Sequence, residues 1–562
     1  MYLSIQDLKC SKLSEIYDTI SRTDIENILD NNNLDSYCNN MLNTHKTQLL
    51  DDSNDPVVLA KLFEKYIEST PNLFLVKRNE SLLTKIKQYV QESITSERGI
   101  TPFQALILSQ SFLPPKFTQG FDDIPNNIHF PQDHHIHKNT NIGWYFLVSN
   151  INTLEGLKYG VVLIFWYLPI FPEPFLVSNN IDPKSFFCHF ITFTITDIMN
   201  QTFYKNNSGL VNNNTGLLNS STLQDGHIHY TSGKNLLYSK EDNLSHLFIN
   251  VEDTSVNQDS MSIQMEIKAS KPLFLQGDGG CAPCFDRTGS LYYSYPRYSI
   301  ENIILSVNSK ILVSNTTIDK LNSFVWLDHQ WTYQMMRETY FKNTFVQALS
   351  NITPKPSFNG WFWFCGHLMD GRDMTAVVAS KYIDSLPIHH KTYENLAYKM
   401  INKNGSTSEL KVDGSMVAKH WKSMKWNSIT LFVPTEWDLY MGNERFTFKS
   451  LYDFPIFPNR MGDFVREGPV SIYKENELIG EGFAEVAGFL SSKEDYFNYK
   501  LELLGSNLKQ DSDFITQNKI SNPNDQVVNS YLYFLLIGLI LILFILLFVM
   551  GIRYLLKKSK KP

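Results

Sequence analysis

Apolar positions recur every three or four residues before residue 110. They alternate or cluster at strand length from about 128 to 500, and run unbroken from Tyr531 to Met550. Each spacing predicts a different element. In the first stretch Thr23-Asp24-Ile25-Glu26 forms a capping box, with Ile25, Ile28 and Leu29 on one face. Asp55-Pro56 supplies an N-cap and a proline fit for the first helical position. Leu59, Leu62, Phe63, Tyr66 and Ile67 follow at helical spacing. A third helix carries Leu82, Leu83, Ile86, Tyr89, Val90 and Ile94. These stripes read as the core of a small bundle and carry no chemistry. Pro114-Pro115 and the polar stretch after it read as a linker.

The texture changes at Ile128. Tyr159–Tyr167 (YGVVLIFWY) is nearly all apolar over the length of one strand, which predicts a strand buried on both faces. Gly360–Ser380 predicts a hairpin. Trp361, Trp363 and Cys365 alternate there with Phe362, Phe364 and Gly366, and Asp370-Gly371 suits a tight type I′ turn. Further strands are expected at Leu291–Tyr295, Ile303–Val313 and Ser428–Val433. Many short strands separated by turns predict sandwiches or barrels and argue against a parallel α/β sheet. The region is long enough for two barrels in tandem.

The closing run, Tyr531 to Met550, spans roughly the 30 Å of a bilayer's hydrocarbon core as a helix. No charge interrupts it, and Tyr531 and Tyr533 stand where an aromatic belt belongs. A core helix of that length would show a polar stripe. A single C-terminal transmembrane helix is therefore expected, which makes the lipid bilayer a partner. The N-terminus lacks the apolar stretch of a signal peptide, which favours a tail anchor and a cytosolic body. The tail after the span, with Arg553, Lys557, Lys558, Lys560 and Lys561, pulls the other way under the positive-inside rule. The cytosolic body is the expectation.

Composition narrows the partners. An aromatic fraction of 13% suits strands and apolar ligands, and a net charge of -7 argues against nucleic acid. Six cysteines do not make a disulfide framework. Cys281-Ala-Pro-Cys284 is a lone CxxC, better read as a local disulfide or a plain loop than as a zinc site. No cofactor and no metal are expected.

Four segments concentrate unusual side chains. Asp133-His134-His135-Ile136-His137 is followed by Gly143-Trp144-Tyr145-Phe146. Its three histidines can bind a metal or form a solvated loop, and no further carboxylate or cysteine at ligand spacing supports the metal. Gln276-Gly-Asp278-Gly-Gly280 precedes Leu291-Tyr-Tyr-Ser-Tyr-Pro-Arg297, a glycine-flanked acid beside a tyrosine group. Trp326-Leu-Asp328-His329-Gln-Trp331 sets a carboxylate and an imidazole between indoles, which is how proteins shift pKa values for proton transfer. Taken alone, a structural hydrogen-bond cluster closing one barrel against the next is the simpler reading. In the Trp361–Arg372 hairpin, His367 and Asp370 offer an acid–base pair, although Asp370 is accounted for as the turn residue.

In this order the segments resemble one family, the lipocalin-like proteins that include carotenoid 1,2-hydratases (hydroxyneurosporene synthases) and AttH-type proteins. Its Pro-x-Asp-His and Trp-Tyr opening resembles Phe130–His134 and Ile142–Tyr145. Its His-then-Asp strand resembles His189–Asp197, and its Gly-Asp-Gly-Gly with Tyr-Tyr-Ser-x-x-Arg resembles Gly277–Gly280 and Tyr292–Arg297. Its Trp-Leu-Asp-His-Gln-Trp and Gly-Trp-x-Trp…Asp-Gly-Arg resemble Trp326–Trp331 and Gly360–Arg372. Its Glu-Gly-Pro-Val…Gly-x-Gly-x-x-Glu resembles Glu467–Val470 and Gly480–Glu485. Two departures stand out. Ile142-Gly143 replaces the family's Glu-Trp, and Val162 and Tyr167 replace its Gln and Arg on the next strand.

The resemblance implies a mainly β chain with two tandem lipocalin-like β-barrels and an apolar pocket near their junction. The expected organisation is a helical region at 1–112, a linker at 113–127, barrels at 128–335 and 336–505, a polar stalk at 506–530, the transmembrane helix at 531–550 and a basic tail at 551–562. Family members hydrate isoprenoid double bonds, close polyketide-like rings or shuttle lipids. The expected function is binding of an apolar, isoprenoid or lipid-like ligand at a membrane. One reading adds hydratase, isomerase or cyclase chemistry, with Asp328 as general acid and His329 and Asp278 in support. Trp144, Tyr145, Tyr293, Tyr295, Arg297, Trp331, Trp361 and Trp363 would bind the ligand. The other readings are a non-catalytic lipid carrier and a structural membrane protein. The departures, by removing a carboxylate and a guanidinium, are expected to leave the first barrel's pocket more apolar.

Overall fold

The computed structural model describes residues 55–69, 80–101, 104–105, 108–109, 128–137, 140–181, 186–206, 228–232, 235–239, 241–255, 257–277, 279–280, 290–332, 359–381, 392–426, 429–453, 456–458 and 464–487. The Thr23–Glu26 capping box, the 113–127 linker, Asp278, Cys281-Ala-Pro-Cys284, the stalk and the Tyr531–Met550 span lie outside them. Among the described residues no helix is long and apolar enough to cross a membrane.

Helix α1 (Pro56–Ser69) begins as the sequence predicts, with the Val57 N–H donating to Asp55 Oδ1 at 2.8 Å. With α2 (Glu80–Thr95) it buries its apolar stripe against the segment leading to α3 (Glu173–Ser178). There Phe63 meets Phe171 at 4.7 Å between ring centroids, and Tyr66 meets Phe175 at 4.9 Å.

The rest is antiparallel sheet. A first set comprises β1 (Ile142–Asn152), β2 (Lys158–Pro169), β3 (Phe187–Asp197), β4 (Thr202–Lys205), β5 (His229–Ser232) and β6 (Asn235–Ser239). It continues with β7 (His246–Thr254), β8 (Ser260–Ala269), β9 (Phe274–Leu275), β10 (Ser290–Val307), β11 (Lys310–Ser314) and β12 (Phe324–Thr332). These strands form one 12-stranded sheet in the order β4-β3-β2-β1-β12-β10-β8-β7-β6-β5, with β9 and β11 pairing to β10. β10 carries Pro296 where its register with β12 shifts between Tyr295 and Tyr298, a place where the missing N–H breaks no ladder bond. The apolar run expected to be one strand across Ile303–Val313 instead turns at Asn308 and Ser309, both at positive φ, so that β11 folds back on β10.

The second set comprises β13 (Asn359–Leu368), β14 (Asp373–Lys381), β15 (Thr392–Ile401), β16 (Lys411–Trp426) and β17 (Ile429–Met441). It ends with β18 (Glu444–Ser450), β19 (Ile456–Pro458), β20 (Phe464–Lys474) and β21 (Glu477–Ala487). Their order is β18-β17-β16-β15-β14-β13-β21-β20-β19, and β20 also pairs with β18. That last pairing closes an eight-stranded barrel.

The first sheet differs from the closed barrel the sequence suggested. It curls until its ends approach, and side chains make the join. The Tyr230 hydroxyl on β5 donates to the carbonyls of Trp166 and Phe190, at 2.6 and 3.0 Å. A single backbone β-bridge between Asn206 and Ser255 adds to it. The hairpin turn at Asp370 also differs from a type I′ turn. Only Gly371 has positive φ, and the Gly371 N–H donates to Leu368 O while Leu368 N–H donates to Arg372 O. This is a three-residue loop with a glycine bulge, the other common way to close a hairpin.

Period-two alternation then sorts the side chains. Tyr145, Leu147, Phe165, Tyr293, Leu327 and Trp331 fill the concave side of the first sheet. Phe146, Val148, Ile164 and Trp326 point out from its convex side, where they meet Trp363, Cys365 and Phe483 of the barrel. The barrel keeps a separate core around Phe364, Trp437 and Phe448. So the two β bodies pack outer face to outer face. Asn150 Nδ2 donates to Gly482 O at 3.2 Å, and Lys399 Nζ to Leu275 O at 2.7 Å. A Cβ added to Gly160 would lie 2.8 Å from the Pro469 ring, so that contact requires glycine.

Candidate functional site

Asp328 and His329 are neighbours on β12, so they face opposite ways. Both are buried, at 4% and 0% exposed, yet they belong to two different sites. The sequence reading that grouped them as acid and support is corrected by this alternation.

His329 stands inside the curled sheet. Its Nε2 lies 3.0 Å from the Tyr167 hydroxyl and its Nδ1 lies 3.2 Å from the Tyr293 hydroxyl. That same Tyr293 oxygen lies 2.6 Å from Nδ1 of His134. Tyr145 stacks on the His329 ring at 4.1 Å and donates its hydroxyl to His134 O at 2.9 Å. A buried hydroxyl without a partner costs about 1–3 kcal/mol, which is why these phenols are found in pairs with imidazoles and carbonyls. Burial first, then the neighbouring imidazoles, hold His329 well below the usual histidine range. Burial likewise takes His134 down to about 4 and His137 to about 3. Neutral imidazoles each carry one N–H. The chain Tyr167–His329–Tyr293–His134 can therefore be satisfied in two senses, with every hydroxyl proton reversed between them. It is a continuous hydrogen-bonded relay within the buried concave core.

The three histidines of the first motif part company. His134 joins the relay, and His135 pairs with Asp242 at 2.8 Å. His137 stacks on Trp331 at 3.8 Å. Among the described residues no group of three His, Cys, Asp or Glu is placed to hold a metal.

Asp328 points the other way, into the contact between sheet and barrel. Trp326 Nε1 donates to its Oδ1 at 2.7 Å, and the Ser294 hydroxyl donates to the same oxygen. Gln276 Nε2 in turn donates to Ser294 Oγ at 2.8 Å. Burial pushes the Asp328 carboxyl up to about 7 against the pull of those two hydrogen bonds. Two glutamates of the barrel's outer face contribute to the same junction. Glu485 pairs in register with Trp363 on one side and with Glu467 on the other. Burial pushes Glu485 up to about 8, and burial with the Glu485 charge holds Glu467 well above the carboxylate range. The Asp328 charge adds to both. Three carboxyl groups, all shifted upward, thus gather beside Trp326, Trp361 and Trp363. Trp363 meets Phe146 at 5.4 Å and Trp326 at 6.0 Å, each edge to face.

A third cluster ties the bodies together. Asp373 on β14 accepts from Lys271 Nζ at 2.5 Å and from Arg297 Nη2 at 2.6 Å, both from the first body. It also sits 2.8 Å from His367 Nδ1. His367 therefore pairs with Asp373, while the Asp370 proposed as its partner binds Arg372 within the turn. The opposing charges and hydrogen bonds hold the Asp373 carboxyl below its ordinary value despite burial.

The residues expected to line one pocket are divided accordingly. Tyr145, Tyr293, Tyr295 and Trp331 lie in the concave core. Trp144, Trp361 and Trp363 lie at the convex junction, and Arg297 belongs to the ion cluster. Asp278 lies outside the described residues. The sequence reading missed Tyr167, Glu467 and Glu485 as site residues. The two glutamates stood inside a quoted motif, and their two-residue spacing from neighbouring apolar positions would have put them on one face.

Residues 123–489 match the family model described as AttH-like. Among solved structures, the chain is similar to an AttH protein from Nitrosomonas europaea at 16% identity, covering 65% of this chain and 98% of that one with a TM-score of 0.47. It is also similar to kievitone hydratase from Nectria haematococca at 17% identity, covering 67% and 98% with a TM-score of 0.42. No curated protein matches the chain.

Proposed function

This chain belongs to the AttH-like family, and from that premise we propose that its sheet–barrel junction binds an apolar, unsaturated ligand and protonates it from Asp328. The observation that carries this reading is the buried Asp328 carboxyl, pushed up to about 7 while facing an aromatic wall. Alkene protonation requires an acid that still holds its proton at neutral pH and surroundings that tolerate a carbocation. Both hydrogen bonds to Asp328 fall on Oδ1, so the acidic proton belongs on Oδ2. Transfer of that proton to one alkene carbon leaves a cation on the other, which the faces of Trp326 and Trp363 and the new carboxylate stabilise. Addition of water and return of a proton to Asp328 completes a hydration. Loss of a neighbouring proton from the cation to the Asp328 carboxylate instead completes an isomerisation.

The carrier reading draws on the same two bonds, because Ser294 and Trp326 tie Asp328 into its own sheet. We further infer that Tyr531–Met550 tethers the protein to a bilayer, a reading supported by the length and unbroken apolarity of that run. The test uses the full chain purified in lipid nanodiscs, with solvent extraction and identification of what co-purifies. A ligand whose turnover stops in Asp328→Asn supports catalysis. An unaltered lipid bound equally by wild type and variant supports the carrier and sinks the acid role.

A further inference from the structure

On the barrel's outer face Trp363, Glu485 and Glu467 stand in one row across β13, β21 and β20. With strands about 4.8 Å apart, the outer two backbones are roughly 10 Å apart and flank Glu485. Trp361 donates to Glu485. The outer two are different: among the described residues Trp363 Nε1 and Glu467 Oε2 have no hydrogen-bond partner, although the residues are 4% and 1% exposed. Leaving a buried polar atom unpaired costs about 1–3 kcal/mol, and one row contains two such atoms.

Their chemistry is one-sided. An indole N–H only donates. Burial and the Glu485 charge push the Glu467 carboxyl upward, towards the acid form that carries an O–H in place of a carboxylate lone pair. An indole N–H and a carboxyl O–H flanking Glu485 call for an oxygen acceptor, set among the rings of Trp326, Trp363 and Phe146.

We propose that the ligand of the junction is an oxygenated apolar molecule whose hydroxyl or carbonyl oxygen accepts from Trp363 Nε1 and Glu467. The inference rests on the junction being a ligand site, and it excludes a pure hydrocarbon as the preferred occupant. The oxygen anchors one end of the molecule, while its unsaturated portion lies towards Asp328.

The experiment compares farnesol with farnesene, which share a carbon skeleton and differ by the elements of water, a terminal hydroxyl in the first against a fourth double bond in the second. Binding is read from tryptophan fluorescence of the full chain in nanodiscs, with empty nanodiscs correcting for partition. Farnesol is expected to bind at least tenfold more tightly. That ratio should fall to about threefold in Trp363→Phe, which keeps an apolar ring, and vanish in Trp363→Phe/Glu467→Met. Equal binding of the two probes by wild type, or a ratio unchanged in the double variant, overturns the inference and leaves the junction reading standing. Binding of neither probe overturns both.

Discussion

A Cβ added to Gly143 would lie 2.2 Å from Cζ of Tyr167, its partner across β1 and β2. The glycine leaves the room in which the phenol ring stands, and from there the hydroxyl reaches His329 at 3.0 Å. The two departures from the resembled family at these positions are therefore one change. A side chain at 143 and a tyrosine at 167 exclude each other. The expectation that these departures leave the interior simply more apolar is corrected, because Tyr167 restores a polar contact.

Gly143→Ala should destabilise the protein by about 1–3 kcal/mol through overpacking. Tyr167→Leu should relieve that clash, so the double variant should be more stable than the two single losses added together, with coupling of at least about 1 kcal/mol. Urea denaturation of the full chain checks this, and additive losses would refute the mutual exclusion.

Tyr167→Phe removes one hydroxyl and leaves a buried imidazole nitrogen without its partner. A loss of about 1–3 kcal/mol is expected, with little change in volume. The same denaturation series measures it. A neutral effect would mean that His329 Nε2 is satisfied from elsewhere.

Asp328 holds its proton to about 7 when folded, against an ordinary carboxyl value of 3.8. Between those values the folded chain keeps a proton that the unfolded chain has released. Its contribution to stability therefore falls as pH rises through that window and levels off above it. Asn at this position cannot ionise. The stability of wild type relative to Asp328→Asn should drop by on the order of 4 kcal/mol between about pH 4 and about pH 8. A flat difference would show an ordinary carboxyl and a rising one a carboxylate stabilised by folding, and either would refute the raised value.

Asp373→Asn removes the carboxylate that two cations of the other body share. Lys271 and Arg297 are then left with an uncompensated charge in a largely dry contact, at a cost of about 3–5 kcal/mol. Adding Lys271→Met should recover part of it. Chemical denaturation measures both steps, and a loss no larger in Asp373→Asn than in Lys271→Met alone would refute the shared-anion role.

Local patterning was legible wherever one residue decides the outcome. Asp55 caps α1 and Tyr159–Tyr167 forms a strand buried on both faces, because capping and apolar runs are properties of short segments. Alternation also revealed which residues share a face of β12 or β13. It does not say which face is concave, and Asp328 and His329 were joined by adjacency when period two already separated them. The His134–Tyr293 contact spans 159 positions, and the Glu467–Glu485 row depends on the register of β20 with β21. Such pairings follow from how the sheet curls, which no local spacing encodes.

β12 is a partition with a different chemistry on each surface: imidazoles and phenols behind it, carboxyls and indoles in front. Substitutions in one room need not disturb the other, so the two can drift independently. Inserting or deleting a single residue ahead of Asp328 would instead transpose the contents of both rooms at once. Length at this strand is therefore under tighter constraint than the identity of any one of its side chains.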